Sequence, residues 1–417
     1  MSYIKEIDSS AYEIMGAEKD RQTNGLELIP SENYVSSAVL EALGSVFTNK
    51  YSEGYPGKRY YGGTEYMDSI ERLAIHRARH LFGCDYANVQ PLSGAPANLA
   101  AYFSLLSPGD TILGMNLSHG GHLTHGHHTT VTASLFNFVP YQVKDVNTGE
   151  IDYKELRKLA KKYKPKLILA GFSSYTRTLD WAEFKSIANE VGAYTMADIA
   201  HIAGLIAGGV HLNPLDYGFD IVTTTTHKTL RGPRGAMILT NSGDIANRVD
   251  RTVFPGLQGG PHMNNVAAKA IAFGEAKTDK FKHYSTQVLW NAKAMENTFK
   301  RHGVPLVFDG TSNHMLLLDV GKLGLGGKDI ETLLETIGIT VNKNIIPDDK
   351  RPATNPSGIR LGTPAMTTRG MNEEECSRVA EIISRCLEKT PSNGDIERYR
   401  SAIEDMAHYY KIPEVFV

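Results

Sequence analysis

The chain has 417 residues, 41% hydrophobic and 22% charged, with a formal net charge of −2. That is an ordinary globular composition, long enough for more than one domain, and the near-zero charge leaves no electrostatic footprint for nucleic acid or an anionic membrane. No apolar run approaches the ~20 residues that span a bilayer. The N-terminus carries neither a signal-peptide nor a transit-peptide pattern. Three scattered cysteines (Cys84, Cys376, Cys386) argue against a disulfide framework and suit a reducing cytoplasm.

Residues 1–25 are polar and helical in pattern, an arm without chemistry. Leu26 to Pro30 then lead into the turn Ser31-Glu32-Asn33. The stretch from Tyr51 to Gly63 packs four tyrosines and four glycines into thirteen residues. It is a poor helix and a poor core, but tyrosines with a polar tip suit recognition. Glu65 to Phe82 reads as an amphipathic helix stopped by Gly83. Asn88-Val89 reads as a short strand running into the turn Ser93-Gly94, with a helix expected from Asn98 to Leu106. Backbone N–H groups at such a start favour a phosphate.

Leu117 to His128 holds five histidines within ten residues, interleaved with glycines. A zinc site wants a defined spacing, often with cysteine or carboxylate, so no metal is expected. From there strands and helices alternate. Lys166 to Ala170 reads as a buried strand, and Asp180 caps a helix ended by Gly192. Tyr194 to Ala197, Ile221 to Thr224 and Ala236 to Leu239 read as further strands. Such alternation implies a mainly parallel α/β sheet with ligands at the strands' carboxyl ends. Phe254 to Pro261 is a glycine-rich loop, and Asn264 to Arg301 a long helical tract. Beyond it, Met315–Val320 reads as a strand and Lys328–Thr336 and Glu373–Glu388 as helices. Gly321 to Lys328 resembles a phosphate loop but lacks its first glycine and its Ser/Thr.

Two strand ends carry chemistry. Lys228 follows the threonine run 223–226 and precedes the Gly232-Pro233 turn, with His227, Arg231 and Arg234 as nearby cations. A lysine nucleophile needs burial or neighbouring positive charge to lower its pKa. Thirty residues earlier, Tyr194-Thr195-Met196-Ala197 ends in Asp198, with His201 three residues on. Pyridoxal phosphate enzymes pair a Schiff-base lysine with an acidic group that keeps the pyridine nitrogen protonated. Arg360, in Ile359-Arg360-Leu361-Gly362, can clamp a carboxylate with two parallel hydrogen bonds.

These segments resemble serine hydroxymethyltransferases, fold-type I pyridoxal phosphate enzymes. The resemblance extends through Leu28–Asn33, Tyr51–Tyr66, Ser93-Gly94, Leu117–Gly126, Phe254–Pro261 and Ser357–Gly370. It implies a large cofactor domain (26–279) with helices on both faces of the sheet, behind the arm (1–25), and a smaller C-terminal α+β domain (280–417). It implies transfer of the serine hydroxymethyl group to tetrahydrofolate, giving glycine. Lys228, Asp198, His201 and Thr225 would lie at the cofactor, His122 against its ring, and Ser93, Gly94, Ala95 and Ser173 near its phosphate. Ala95 departs from the family pattern, which carries a hydroxyl residue there. Ser31, Tyr61 and Arg360 would bind the amino acid, Glu53 would act as acid–base group, and Leu117, Gly121 and Asn344 would meet the pterin. Tyr51 and Tyr61, with Gly259 and Gly260, would reach a partner's site in a homodimer. Alternatives on the same residues are a threonine or 2-methylserine aldolase, a modified pterin, or a catalytically silent regulator.

Overall fold

The computed structural model describes residues 3–414. Its centre is a seven-stranded sheet of β1 (Tyr86–Asn88), β2 (Thr111–Met115), β3 (Asn137–Tyr141), β4 (Leu167–Gly171), β5 (Tyr194–Asp198), β6 (Ile221–Thr225) and β7 (Ala236–Thr240). The spatial order is β1-β7-β6-β5-β4-β2-β3. β7 runs antiparallel to both its neighbours, while the pairings among β2 to β6 are parallel.

Successive residues explain why the central strands read as short, largely apolar runs. Leu167 and Leu169 enter the core on one face of the sheet, and Ile168 and Ala170 the core on the other. Met196 and Ala197 divide in the same way, as do Ile221 and Val222. A sheet covered by helices on both sides takes mostly apolar residues, and the threonines it buries, Thr195 and Thr223 among them, are hydrogen-bonded.

A second sheet joins Met315–Asp319, Gly358–Gly362 and Asn342–Asn344, all antiparallel. It packs with Glu373–Glu388, Asn393–Tyr409 and the C-terminal half of Asp279–Arg301 around a separate core. Leu26 and Leu28 belong to that core, and Leu26–Glu27 pairs in parallel with Ile339–Thr340. No residue of the helix Ser9–Asn24 is buried. Among the described residues no helix is long and apolar enough to cross a membrane.

Two expected elements differ. The helix predicted from Asn98 starts at Gly94 and runs to Leu105, so Ser93 is its N-cap. The tract Asn264–Arg301 is two helices, Met263–Glu275 and Asp279–Arg301, the second capped by the Thr278 hydroxyl. Thr278 accepts the Phe281 N–H, a bond an uninterrupted helix would not use.

Candidate active site

The parallel register sets Gly171, Asp198 and Thr223 abreast across β4, β5 and β6. Asp198 is buried at the carboxyl end of β5. Its Oδ2 accepts from Asn98 Nδ2 at 2.9 Å and from His125 Nε2 at 3.1 Å, and its Oδ1 from the Ala200 N–H at 3.1 Å. Burial alone would raise this carboxyl. The His125 hydrogen bond, the nearby imidazoles and Asn98 reverse that and hold it well below the usual carboxylate range. Asn98 is held in turn by the Thr223 hydroxyl, which donates to its Oδ1 at 2.6 Å.

His122 stands beside this network. Its Nδ1 accepts the Thr124 N–H at 3.1 Å and faces the Thr124 hydroxyl at 2.8 Å. Burial, then the neighbouring His125, lowers its pKa to about 4, so the ring is neutral at pH 7 with its proton on Nε2. His125 Nδ1 accepts the His122 N–H at 3.3 Å, leaving Nε2 as the donor toward Asp198. Ligand atoms of His122, His125 and Asp198 lie within 4.8 Å of one another, where the sequence reading expected no metal. His201 is buried, its Nδ1 3.3 Å from His314 Nε2 and its ring stacked between Phe172 and His314.

Lys228 lies just past β6, half-buried. Burial lowers its pKa to about 8; Asp198 opposes the fall, and Arg360 and Arg234 add to it. Of the three local cations expected from the sequence, Arg234 alone acts in this way. Burial drives His227 to about 3, so it is uncharged. The Arg231 guanidinium lies over the Tyr284 ring, 4.4 Å from its centroid. Asn33 ties the Ser31 turn to the lysine segment, donating to the Lys228 carbonyl at 3.1 Å.

Arg360 sits in Gly358–Gly362, buried, with Nη1 on the Ser173 carbonyl at 2.6 Å and Nε on Asn342 Oδ1 at 3.0 Å. Next to this contact a cavity of about 310 Å³ is lined by Leu117, Gly121, Ser173, Asn342 and Asn344, with Glu331 and Lys343 paired at its edge. The three residues expected at a pterin thus share one cavity with the serine that meets Arg360.

At the start of Gly94–Leu105 the Ser93 side chain makes no capping hydrogen bond. Gly94 packs so closely on Thr225 that a Cβ there would stand 2.9 Å from its Cγ2. A further group gathers on the glycine-tyrosine loop. Tyr51 and Tyr61 are 55% and 46% exposed, yet their rings meet edge-on at 5.1 Å. The Tyr51 hydroxyl lies 3.2 Å from Glu53 Oε1. Cβ atoms at Gly259 and Gly260 would touch Glu53 and the Tyr51 ring, each at 3.2 Å.

The serine hydroxymethyltransferase family model matches residues 4–383 of the 417. The chain belongs to the serine hydroxymethyltransferase family. It is therefore a transferase of one-carbon metabolism acting on the serine hydroxymethyl group, in a family that uses pyridoxal phosphate and takes tetrahydrofolate as co-substrate. The residues present fit that cofactor. A buried carboxylate held ionised suits a pyridinium nitrogen, an amine lowered to about 8 suits a carbonyl, and a helix start with an unengaged serine hydroxyl suits a phosphate.

Three residues of this buried arrangement carry no functional signal in the sequence. His125 is one of five histidines within ten residues, with nothing to single it out. Asn98 was read as a helix start. His314 precedes a strand with no motif around it. Their positions follow from long-range contacts, and no local signal marks them.

Proposed function

We propose that this chain transfers the hydroxymethyl group of L-serine to tetrahydrofolate, giving glycine and 5,10-methylenetetrahydrofolate, with Lys228 as the amine that carries pyridoxal phosphate. One observation carries the reading: an ionised Asp198 and a lysine amine lowered to about 8 lie at the carboxyl ends of adjacent parallel strands. Bound there, pyridoxal phosphate would supply an electron sink for the bonds at the amino acid's Cα.

The chain's own residues do the rest. Asp198, fixed by Asn98, His125 and the Ala200 N–H, keeps a proton on the ring nitrogen. His122, neutral at pH 7, would help hold the ring without competing for that proton. Arg360, with Ser31 and the partner's Tyr61, would bind the serine carboxylate and so fix how the amino acid is presented to the cofactor. Ser173 turns its carbonyl to Arg360 Nη1 and so steadies the guanidinium. Ser93, Gly94 and Ala95 hold the phosphate, and Thr225 lines the lysine side. Glu53, on the same loop as Tyr51 and Tyr61 and like them reaching the partner's site, moves the proton at the serine hydroxyl oxygen as the one-carbon unit departs. The cavity at Leu117, Gly121 and Asn344 receives the pterin.

The exposure of Tyr51 and Tyr61 beside Gly259 and Gly260 supports a second copy as their target, so the working unit is a homodimer with shared sites. Three buried, unpaired cysteines fit a cytoplasmic setting. The division into an arm (1–25), a cofactor domain (26–279) and a smaller C-terminal domain (280–417) belongs to the same proposal.

The test is an absorbance spectrum of the purified protein with pyridoxal phosphate, then glycine, then tetrahydrofolate. A band at the edge of the visible, lost in Lys228→Ala, with a longer-wavelength band after folate is the expected result. A first band without any response to folate would overturn folate as the acceptor. No band at all would overturn the role of Lys228.

A further inference from the structure

The backbone from Val89 to Leu92 joins β1 to the Ser93 helix start and lies in no helix or strand. One backbone bond, from the Ala236 N–H to the Pro91 carbonyl at 3.1 Å, and several side chains hold it. Buried Lys269 donates from Nζ to the carbonyls of Val89 (2.7 Å), Pro91 (3.1 Å) and Ala236 (2.9 Å). The Gln90 N–H bonds Asn88 Oδ1 at 3.0 Å, and Gln258 takes two further groups. Its Oε1 accepts the Leu92 N–H at 3.1 Å, and its Nε2 donates to the Gln90 carbonyl at 3.1 Å. One amide thus presents its donor and its acceptor to a single backbone segment, as a neighbouring strand would.

Gln258 is itself anchored, its N–H bonded to the Val253 carbonyl at 2.9 Å. It immediately precedes Gly259 and Gly260, which pack on Glu53 and Tyr51. The Gln90 side chain extends the connection, donating to the Gly54 carbonyl at 3.0 Å, one residue from Glu53.

This grip matters because the helix start has few donors. Pro96 has no N–H, and Ala95 has no hydroxyl, so the Gly94 and Ala95 amides and the Ser93 hydroxyl must be well aimed. We propose that Gln258 is a positioning residue for the cofactor phosphate: by holding Gln90 and Leu92 it aims the Ser93–Ala95 donors. The proposal rests on the reading of that helix start given above.

The experiment compares apoprotein affinity for pyridoxal 5′-phosphate and for pyridoxal, which lacks the phosphate, by absorbance titration of wild type, Gln258→Leu and Gln258→Glu. Gln258→Leu weakens pyridoxal phosphate about tenfold, as expected for two lost hydrogen bonds, and leaves pyridoxal within about twofold. Gln258→Glu keeps the acceptor for Leu92 but sets a second carboxylate oxygen against the Gln90 carbonyl, so its loss is at least as large and again confined to the phosphate form. Equal weakening of both aldehydes would mean a general structural defect and would overturn the proposal. Unchanged affinities would overturn it as well. If wild type itself binds both aldehydes equally, the phosphate reading of Ser93–Ala95 falls first and takes the proposal with it.

Discussion

Lys228 is expected to lower the stability of the apoprotein that contains it. Its pKa falls from an ordinary 10.5 to about 8, chiefly through burial. Below pH 8 the ammonium is charged in both folded and unfolded chains, and folding must hold that charge where it is disfavoured. Between pH 8 and 10.5 the unfolded chain binds more protons, so stability rises with pH across that window. At about 1.36 kcal/mol per pKa unit the fall sets a ceiling near ~3 kcal/mol on the cost at pH 7. The Asp198 attraction is already contained in it, because it opposes the shift. Lys228→Met keeps the side chain's apolar bulk and removes the charge. The apoprotein carrying it should be more stable than wild type at pH 7, by up to ~3 kcal/mol in urea unfolding, with the difference fading above pH 10. It should at the same time lose all cofactor-dependent turnover, a trade of activity for stability. A stability difference that stays the same at pH 7 and pH 10, or a less stable Lys228→Met at pH 7, would refute the reasoning.

Asp198→Asn keeps the shape but removes the charge and leaves an amide N–H facing a donor in either orientation; kcat should fall on the order of 10²–10³-fold, the range for one preorganised electrostatic contact, and near-wild-type turnover would count against the ring-nitrogen role. Arg360→Lys loses the planar fork that meets a carboxylate, and KM for serine should rise roughly 30-fold, equivalent to one charge-assisted hydrogen bond of about 2 kcal/mol; steady-state kinetics read it directly. Lys228→Ala and Glu53→Gln homodimers should each be inactive, while random subunit exchange should restore about a quarter of wild-type activity, since half the dimers then carry one intact site of two. Silence after proven exchange would place Glu53 in its own subunit's site.

The central strands are legible because a sheet covered on both faces writes itself as short runs of apolar and β-branched residues: Leu167–Gly171, Tyr194–Asp198, Ile221–Thr225 and Ala236–Thr240. β2 and β3 were not read. Thr111–Met115 carries Gly114 in its middle, and Asn137–Tyr141 is an edge strand with Pro140 and a largely uncovered face. Both features dilute strand propensity: Gly114 leaves room for the His125 carbonyl, which a Cβ would meet at 2.6 Å, and Pro140 sits in an edge strand, where proline is accepted. The break at Ala276–Thr278 was hidden for a related reason: Thr278 is a cap only once its hydroxyl meets the Phe281 N–H.

The sequence by itself determined the chemistry on offer: a lysine and a carboxylate ending successive strands, an arginine in a short strand, a serine-glycine helix start and a glycine-tyrosine loop. Those are local facts, carried by residue type and spacing. Tertiary structure decided which groups act together. Asn98 reaches Asp198 across 100 residues of chain, Arg360 reaches Ser173 across 187, and Gln258 reaches Gln90 across 168. It also decided that His227 is neutral while Asp198 stays charged, because burial penalises charge in both and only Asp198 is given the donors to offset it.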